Sequence, residues 1–391
     1  MAAVRLPKIL VLTESLGRQA RDGGGGNSTA DTTNWAPSIV VTKSNAVLVF
    51  TLAQWITPDK NHPPHFQHIR CDAILSRSTD GGDSFGENQD VGAGGIQALY
   101  SPTTDTTYAF GLAVAGHGSE SNASGSALTM ATSSSDGQSW SEPVVLADPF
   151  VLPGNGTTIE GGLGHGVELQ HGPHRGRFVL PYTEGSTTKN RYAAHALAVY
   201  SDEQGAKGSW KAGALLPDFS GEADLTELAN GSVLITFRSE GERAPKAEAA
   251  KVRGFARSDD GGSSWAEVWY ANVRDPTMLD APSMQGIDRS AKTGAVYFGH
   301  PGAANGDRAN YTIHRSTDSG ATFEFVGVIT NNGSGYSDVR VLPHDGTGDR
   351  LGVAFQRTID EPGVEGGGYN MAFATMTIKT DDIVERPRRQ A

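Results

Sequence analysis

The chain has one cysteine, Cys71, among 391 residues, so no intrachain disulfide can staple it. The residues around Cys71 read as a strand, and its thiol is expected to be buried and inert. No stretch approaches the roughly 18 consecutive apolar residues of a membrane-spanning helix. Helical periodicity is nearly absent. Positive charge is also scarce, with 32 Lys and Arg against 44 Asp and Glu and a net charge of −12. That balance argues against nucleic acid and against anionic membrane surfaces as partners. Any anionic ligand must therefore meet a local concentration of arginines. The stretch from Met1 to Leu12 lacks a proper apolar core and a small-residue cleavage site, and does not read as a signal peptide.

Glycine is abundant, at 50 residues without a collagen-like period, which suits a fold with many tight turns. Charged residues make up 19 %, too few for a disordered chain. Six Asn-x-Ser/Thr sequons, at Asn27, Asn122, Asn155, Asn230, Asn310 and Asn332, point to a secreted glycoprotein.

An internal repeat sets the architecture. Ser78, Asp80, Gly82 and Phe85 form the pattern S-x-D-x-G-x-x-aromatic. It returns at Ser258, Asp260, Gly262 and Trp265, and at Ser316, Asp318, Gly320 and Phe323. Two degenerate copies lie between, Ser134 to Trp140, one residue short, and Ser201 to Trp210, which is longer. In such a turn the Ser and Asp side chains accept backbone N–H groups, the Gly takes a positive φ, and the aromatic plugs the turn against the sheet. Each copy follows an alternating strand.

This repeat resembles the Asp-box of the sialidase superfamily. The resemblance implies an all-β fold, a single six-bladed β-propeller over residues 1–380. Its blades are expected near 36–86, 98–140, 164–210, 221–265, 280–323 and 335–378. The strand Ile9 to Thr13 is expected to complete the last blade and close the ring. The tail 381–391 is expected to be disordered, and the protein to be a monomer.

Ligands of propellers bind on the central axis, where the inner strands converge. Glu222 and Arg238 bracket one hairpin, as in the sialidase segment where a Glu polarises the nucleophilic Tyr and an Arg grips the substrate carboxylate. Arg308 and Tyr336, in a Gly-Tyr-Ser context, resemble the family's further Arg and its nucleophile. A neutral phenol suits attack on an anomeric carbon beside a carboxylate, where a carboxylate nucleophile would be repelled. The Gly164-His165-Gly166 stretch resembles one at the start of the family's third blade, and His165 is read as pocket wall. The alternatives are a Glu–Arg ion pair in a loop and a Tyr capping a strand.

Two parts depart from the family. Ala36, in Trp35-Ala36-Pro37, stands where the first Arg of the triad is expected, and Arg70 is the candidate replacement. In place of a clear acid/base Asp, the preceding loop offers Asp59, His62, His65 and His68. One of these is expected to act as proton donor or base. The histidine spacing is weak evidence for a metal, and no metal or cofactor is expected.

The resulting expectation is an exo-acting glycoside hydrolase that releases a terminal carboxylated sugar, such as a sialic or related ulosonic acid, from an oligosaccharide or glycoconjugate. The first alternative is a propeller-type lyase that β-eliminates uronic-acid glycans, with His117, Tyr182 and Arg191 as its site. Further alternatives are an exo-glycosidase on neutral sugars, such as an exo-arabinanase, and a non-catalytic lectin-like propeller.

Overall fold

The computed structural model describes residues 7–13, 31–58, 66–91, 97–114, 126–147, 159–184, 195–217, 219–239, 253–275, 278, 280–303, 306–346, 348–358 and 369–379. Among these residues the fold is all-β apart from one short helix, Ala271–Arg274.

Four sheets follow one another along the chain. The first is made of Asp31–Val41, Val47–Pro58, Phe66–Ser78 and Gln89–Asp90. The second comprises Gln97–Ser101, Thr106–Val114, Ser126–Ser133 and Val144–Ala147. Ile159–Gly161, Val167–Glu168, Phe178–Glu184, His195–Ser201 and Trp210–Ala212 build the third. The fourth contains Ser220–Glu227, Val233–Ser239, Arg253–Ser258 and Glu267–Tyr270.

The remaining strands depart from the expected count of six separate blades. They form one seven-stranded sheet, in the order Ile9–Thr13, Tyr369–Ile378, Asp349–Thr358, Glu324–Leu342, Ala309–Ser316, Val296–Pro301 and Ile287–Arg289. The cause is the 19-residue strand Glu324–Leu342. Up to Gly333 it pairs with Ala309–Ser316, and from Ser334 onward with Asp349–Thr358. No turn interrupts it, so the sheet does not divide. The arrangement is β-propeller-like, with four blades and one larger unit. The strand Ile9–Thr13 pairs antiparallel with Tyr369–Ile378, joining the start of the chain to its last sheet.

Middle strands such as Val233–Ser239 are buried along their whole length, because both faces meet neighbouring sheets. A continuous apolar run is the sequence form of that burial. Each core cluster bridges two neighbours. Leu99, Tyr108 and Phe110 of the second sheet meet Phe178, Leu180 and Tyr182 of the third. Ile39, Val47 and Val49 of the first meet Leu342, Ala354 and Phe373 of the seven-stranded sheet. This last cluster closes the ring.

The repeat turns latch each sheet to the one before it. In the first, Gly82 N–H donates to Ser78 Oγ at 2.9 Å, and Ser84 N–H donates to Asp80 Oδ1 at 2.9 Å. The same bonds recur around Ser258 and Asp260, and around Ser316 and Asp318. Burial raises the Asp80 carboxyl, but hydrogen bonds from Ser84 and Ser78 outweigh it and hold the group at about 2.

The turn aromatics reach backwards around the ring of sheets. Phe85 packs on Phe373 at 4.9 Å, Trp140 on Phe50 at 5.6 Å, Trp210 on Phe110 at 5.3 Å and Phe323 on Phe255 at 5.1 Å. Burying such a ring is worth about 1.5–3 kcal/mol. Gly82 (φ 91°) and Gly320 (φ 86°) lie so close to the preceding sheet that a Cβ would fall 2.7 Å from Phe373 and 2.5 Å from Leu234.

Of the degenerate copies, the one in the second sheet differs from its sequence reading and the one in the third is longer, as read. In the second sheet the turn starts at Ser133, whose Oγ accepts Gly137 N–H at 3.0 Å. Ser135 takes the Asp position and its Oγ accepts Ser139 N–H at 3.0 Å. The copy is therefore of full length, with Ser in place of Asp. In the third sheet Ser201 Oγ accepts Gly205 N–H at 3.1 Å, and two extra residues precede Trp210.

Candidate active site

Three innermost strands carry a β-bulge. The irregularities fall between Trp35 and Ser38, between Ser220 and Ala223, and between Ser334 and Ser337. A bulge adds a residue, bends the strand and re-aims a side chain. The bulged pairs are Ala36-Pro37, Gly221-Glu222 and Gly335-Tyr336. Ala36 has a φ of 36°, in the sparsely allowed left-handed region.

These bulges bring together residues far apart in sequence. The Tyr336 hydroxyl donates a short hydrogen bond to Glu222 Oε1. The other oxygen, Glu222 Oε2, accepts from Arg238 Nη1 at 3.2 Å. The Arg308 guanidinium carbon lies 5.2 Å from the centroid of the Tyr336 ring. Its Nη2 donates to the Pro282 carbonyl at 2.8 Å, which fixes its position.

Trp35 packs edge-on against Tyr336 at 5.4 Å, and Ala36 and Met284 complete an apolar wall. Tyr336 is nearly buried, while the Glu222 side chain remains 23 % exposed. Burial raises the Tyr336 pKa, the Glu222 charge raises it further, and Arg238 and Arg308 only partly oppose them. The phenol is thus a neutral hydrogen-bond donor to Glu222.

Four sequence candidates, Glu222, Arg238, Arg308 and Tyr336, therefore converge, with Trp35 beside them. His165 does not belong to this surface. Its side chain is fully buried one step down the axis, with Nδ1 at 2.9 Å from Asp338 Oδ1 and 3.3 Å from Asp224 Oδ1. Burial and Arg340 push the imidazole pKa down, but Asp224 and Asp338 outweigh them and raise it above 6.5. Asp224 is itself raised well above 3.8, by burial first.

This cluster also ties the inner strands together. Asp338 Oδ2 accepts Ile39 N–H at 2.6 Å, and Asp224 Oδ2 accepts Ile287 N–H at 3.0 Å. The three side chains have potential ligand atoms within 4.8 Å of one another, a grouping compatible with a metal ion. Their short mutual contacts and backbone N–H partners are those of a hydrogen-bonded ion cluster. The expected pocket-wall role of His165 is therefore corrected to a closed cross-link of the axis.

Tyr182 is likewise fully buried, in the core between the second and third sheets, where it packs with Phe178, Leu180 and Leu197. It opens on no site, so the lyase set loses its phenol. Its partners His117 and Arg191 lie outside the described residues, as do Asp59, His62 and His65. His68 and Arg70 lie in the strand Phe66–Ser78, opposite Ile56 and Trp55, and their side chains are outside the described residues.

Three supporting residues escaped the sequence reading. Gln356 Oε1 accepts the Tyr336 N–H at 2.9 Å and fixes the bulge. Arg253, almost wholly buried, pairs with Asp280 at 2.6 Å and donates to the Ser283 carbonyl at 2.6 Å. It thereby anchors the segment whose Pro282 carbonyl holds Arg308. The available signal was an Arg opening a strand whose next three residues are Gly254, Phe255 and Ala256.

Residues 95–348 match the model of the BNR repeat-like domain family. Among curated proteins, the chain is similar to a sialidase of Micromonospora viridifaciens, at 30 % identity over 349 residues. That match covers 81 % of this chain and 50 % of the relative, so the chain spans about half the length of the relative. Among solved structures, a Hadza microbial sialidase superposes with a TM-score of 0.65 at 19 % identity, over 88 % of this chain and 66 % of that one. The intramolecular trans-sialidase of Ruminococcus gnavus gives 0.63 at 15 % identity, over 95 % and 99 %. The two structures share the fold.

Proposed function

We propose that this chain, which belongs to the family of BNR repeat-like domains within the sialidase-like superfamily, is an exo-acting glycosidase that releases a terminal carboxylated sugar such as a sialic or related ulosonic acid. The observation that carries the reading is the Tyr336 hydroxyl donating to Glu222 between Arg238 and Arg308. The similarity to the Micromonospora viridifaciens sialidase and the shared fold support it.

In this reading the two guanidinium groups bind the sugar carboxylate, which concentrates an anion on a chain of net charge −12. Tyr336 Oη attacks the anomeric carbon while Glu222 takes its proton. The bond to the leaving oxygen breaks, and that oxygen receives a proton from an acid in the loop that contains Asp59, His62 and His65, or from His68. Water then attacks the anomeric carbon as the deprotonated loop residue takes one of its protons, the bond to Tyr336 Oη breaks, and the proton on Glu222 returns to that oxygen. Configuration at the anomeric carbon is retained over the two displacements. Ala36 and Trp35 give an apolar face where the resemblance places a third Arg. The carboxylate is then held by two cations unless Arg70 supplies the third. We also read the seven-stranded sheet as two blades sharing Glu324–Leu342, which makes six in all.

The test is incubation with an aryl sialoside and, separately, with uronate polysaccharides. Aglycone release without absorbance from an unsaturated product is expected. Unsaturated product from the uronates, with no release from the sialoside, would overturn the proposal in favour of elimination.

A further inference from the structure

At the opposite end of the axis lies a second cavity, of about 560 Å³. The inner strands Asp31–Val41 and Glu324–Leu342, which carry Trp35 and Tyr336, end here. Its walls come from the Val41–Lys43 turn, Tyr100 and Pro102, the Asp288–Lys292 turn and the Arg340–His344 stretch. That volume lies within the range of small-molecule sites, on the order of 300–1,000 Å³.

Four cations line it, Lys43, Arg289, Lys292 and Arg340, against two carboxylates, Asp288 and Asp349. The carboxylates are already committed, while Arg289 Nε donates to the Glu227 carbonyl at 2.6 Å and Lys292 Nζ to the Gly346 carbonyl at 2.6 Å, neutral partners that leave both charges uncompensated. Asp288 accepts from Thr226 Oγ1 at 3.2 Å and from Val341 N–H at 2.8 Å. Asp349 accepts from Ser290 Oγ at 2.6 Å, Thr293 Oγ1 at 2.6 Å and Tyr297 Oη at 2.7 Å. Arg340 is not satisfied. Its Nη1 lies 3.5 Å from Asp288 Oδ1, and both its Nε and its Nη1 are buried without a hydrogen-bond partner. Buried guanidinium N–H groups left unpaired cost more than neutral ones. An oxyanion in the cavity would add to this guanidinium a negative charge that Asp288, at 3.5 Å, supplies only in part.

We infer that this far mouth of the axis binds a small oxyanion-bearing molecule, a carboxylate or phosphate ester with a compact body, through Arg340 and the surrounding Lys43, Arg289 and Lys292. Tyr100, Pro102 and Pro343 supply the face for that body. The carboxylate or phosphate group is the shared chemistry, and two probes separate its sources.

Calorimetric titration of the whole chain at low ionic strength, with inorganic phosphate and separately with glucuronate, tests the site. Saturable binding of one molecule per chain is expected for at least one probe, weakening as salt rises. Arg340→Gln should weaken it at least about tenfold, equal to 1.4 kcal/mol. Because Arg340 also faces Asp288, that variant can lose stability. Lys43→Ser and Lys292→Ser, at the rim, should each weaken binding while leaving the fold intact. Arg308→Ala, at the far end, should leave it unchanged. Absence of saturable binding with both probes, or equal affinity in folded Arg340→Gln and in both lysine variants, overturns the inference. Loss of binding in Arg308→Ala alone would assign the event to the Tyr336 site instead.

Discussion

Two carboxylate clusters occupy successive levels of the same inner strands. Glu222 and Tyr336 form the upper one, and Asp224 and Asp338, each two residues further on, form the lower one. Side chains two apart on a strand share a face, so both clusters point at the axis. At the upper level bulges loosen the alternation, Glu222 remains partly exposed, and two arginines flank a neutral phenol. At the lower level every group is closed off, and the carboxylates bind backbone N–H groups from neighbouring strands. Similar carboxylates therefore stand in two settings, a partly exposed one beside a phenol and two arginines above and a fixed cross-link below. Burial and the bulges make the difference.

The sharpest way to break this comparison is to exchange the effects of the two levels. Tyr336→Phe removes one hydroxyl at the upper level. Turnover of an aryl sialoside should fall by at least about 10²–10⁴-fold, while stability in urea changes by only about 0.5–1.5 kcal/mol. Retained turnover would remove Tyr336 as nucleophile. His165→Ala removes the cation at the lower level and leaves two buried carboxyl groups facing each other. It should cost about 3–5 kcal/mol of stability, read from the urea midpoint. A loss below about 1 kcal/mol would mean that the cluster does not cross-link the axis.

Much of this was legible in the sequence, for identifiable reasons. Strand positions followed from alternating and apolar runs punctuated by the repeat, which placed Phe85, Trp265 and Phe323 in their turns. Glu222, Arg238, Arg308 and Tyr336 could be placed together because their local sequences resemble the sialidase segments that carry such residues. The unbroken strand Glu324–Leu342 was not legible, because Asn331-Asn-Gly-Ser-Gly335 reads as a turn but continues extended through its pairing with both neighbours. The Ser133 register was missed because Ser133, Ser134 and Ser135 are identical to pattern matching and only hydrogen bonding separates them. His165 and Tyr182 were misplaced because polarity in a sequence does not reveal burial. A glycine-flanked histidine and a strand tyrosine read alike whether they face a pocket or a core.

The lower cluster also predicts how stability depends on pH. The folded-state pKa of His165 is raised above its ordinary 6.5, so the folded protein holds that proton more tightly than the unfolded chain. Its contribution is fully present below about 6.5 and is lost as pH rises through the folded value. Asp224, also raised, acts in the same direction from its ordinary 3.8 upward. The melting temperature of the wild type, relative to that of His165→Ala, should therefore fall as pH is raised above 6.5. A difference that stays flat or grows with pH would contradict the raised pKa. The exposed turns act in the opposite sense. Asp80, held at about 2, contributes above its ordinary 3.8 and loses that contribution as pH falls towards 2.

The smallest expected effect compares one repeat turn with another. In the first sheet Asp80 accepts the Asp83 and Ser84 N–H groups and the Ser84 hydroxyl, as well as bonding Ser78. In the second sheet Ser135 stands in its place, accepting Ser139 N–H and sharing a hydroxyl contact with Ser139. Both turns have the same spacing from serine to glycine to aromatic, and both aromatics reach the preceding sheet. An Asp at position 135 therefore meets a backbone already shaped to donate to it. Carboxylate acceptors form stronger bonds to N–H groups than hydroxyls do. Ser135→Asp should raise stability by about 0.5–1 kcal/mol at neutral pH, discounted for the exposure of the turn. The gain should disappear as pH falls through the carboxyl pKa, because the protonated acid loses its acceptor advantage. The urea midpoint at pH 7 and at pH 3 measures both parts. A gain that persists at the lower pH would assign the effect to local backbone preference instead of to the carboxylate.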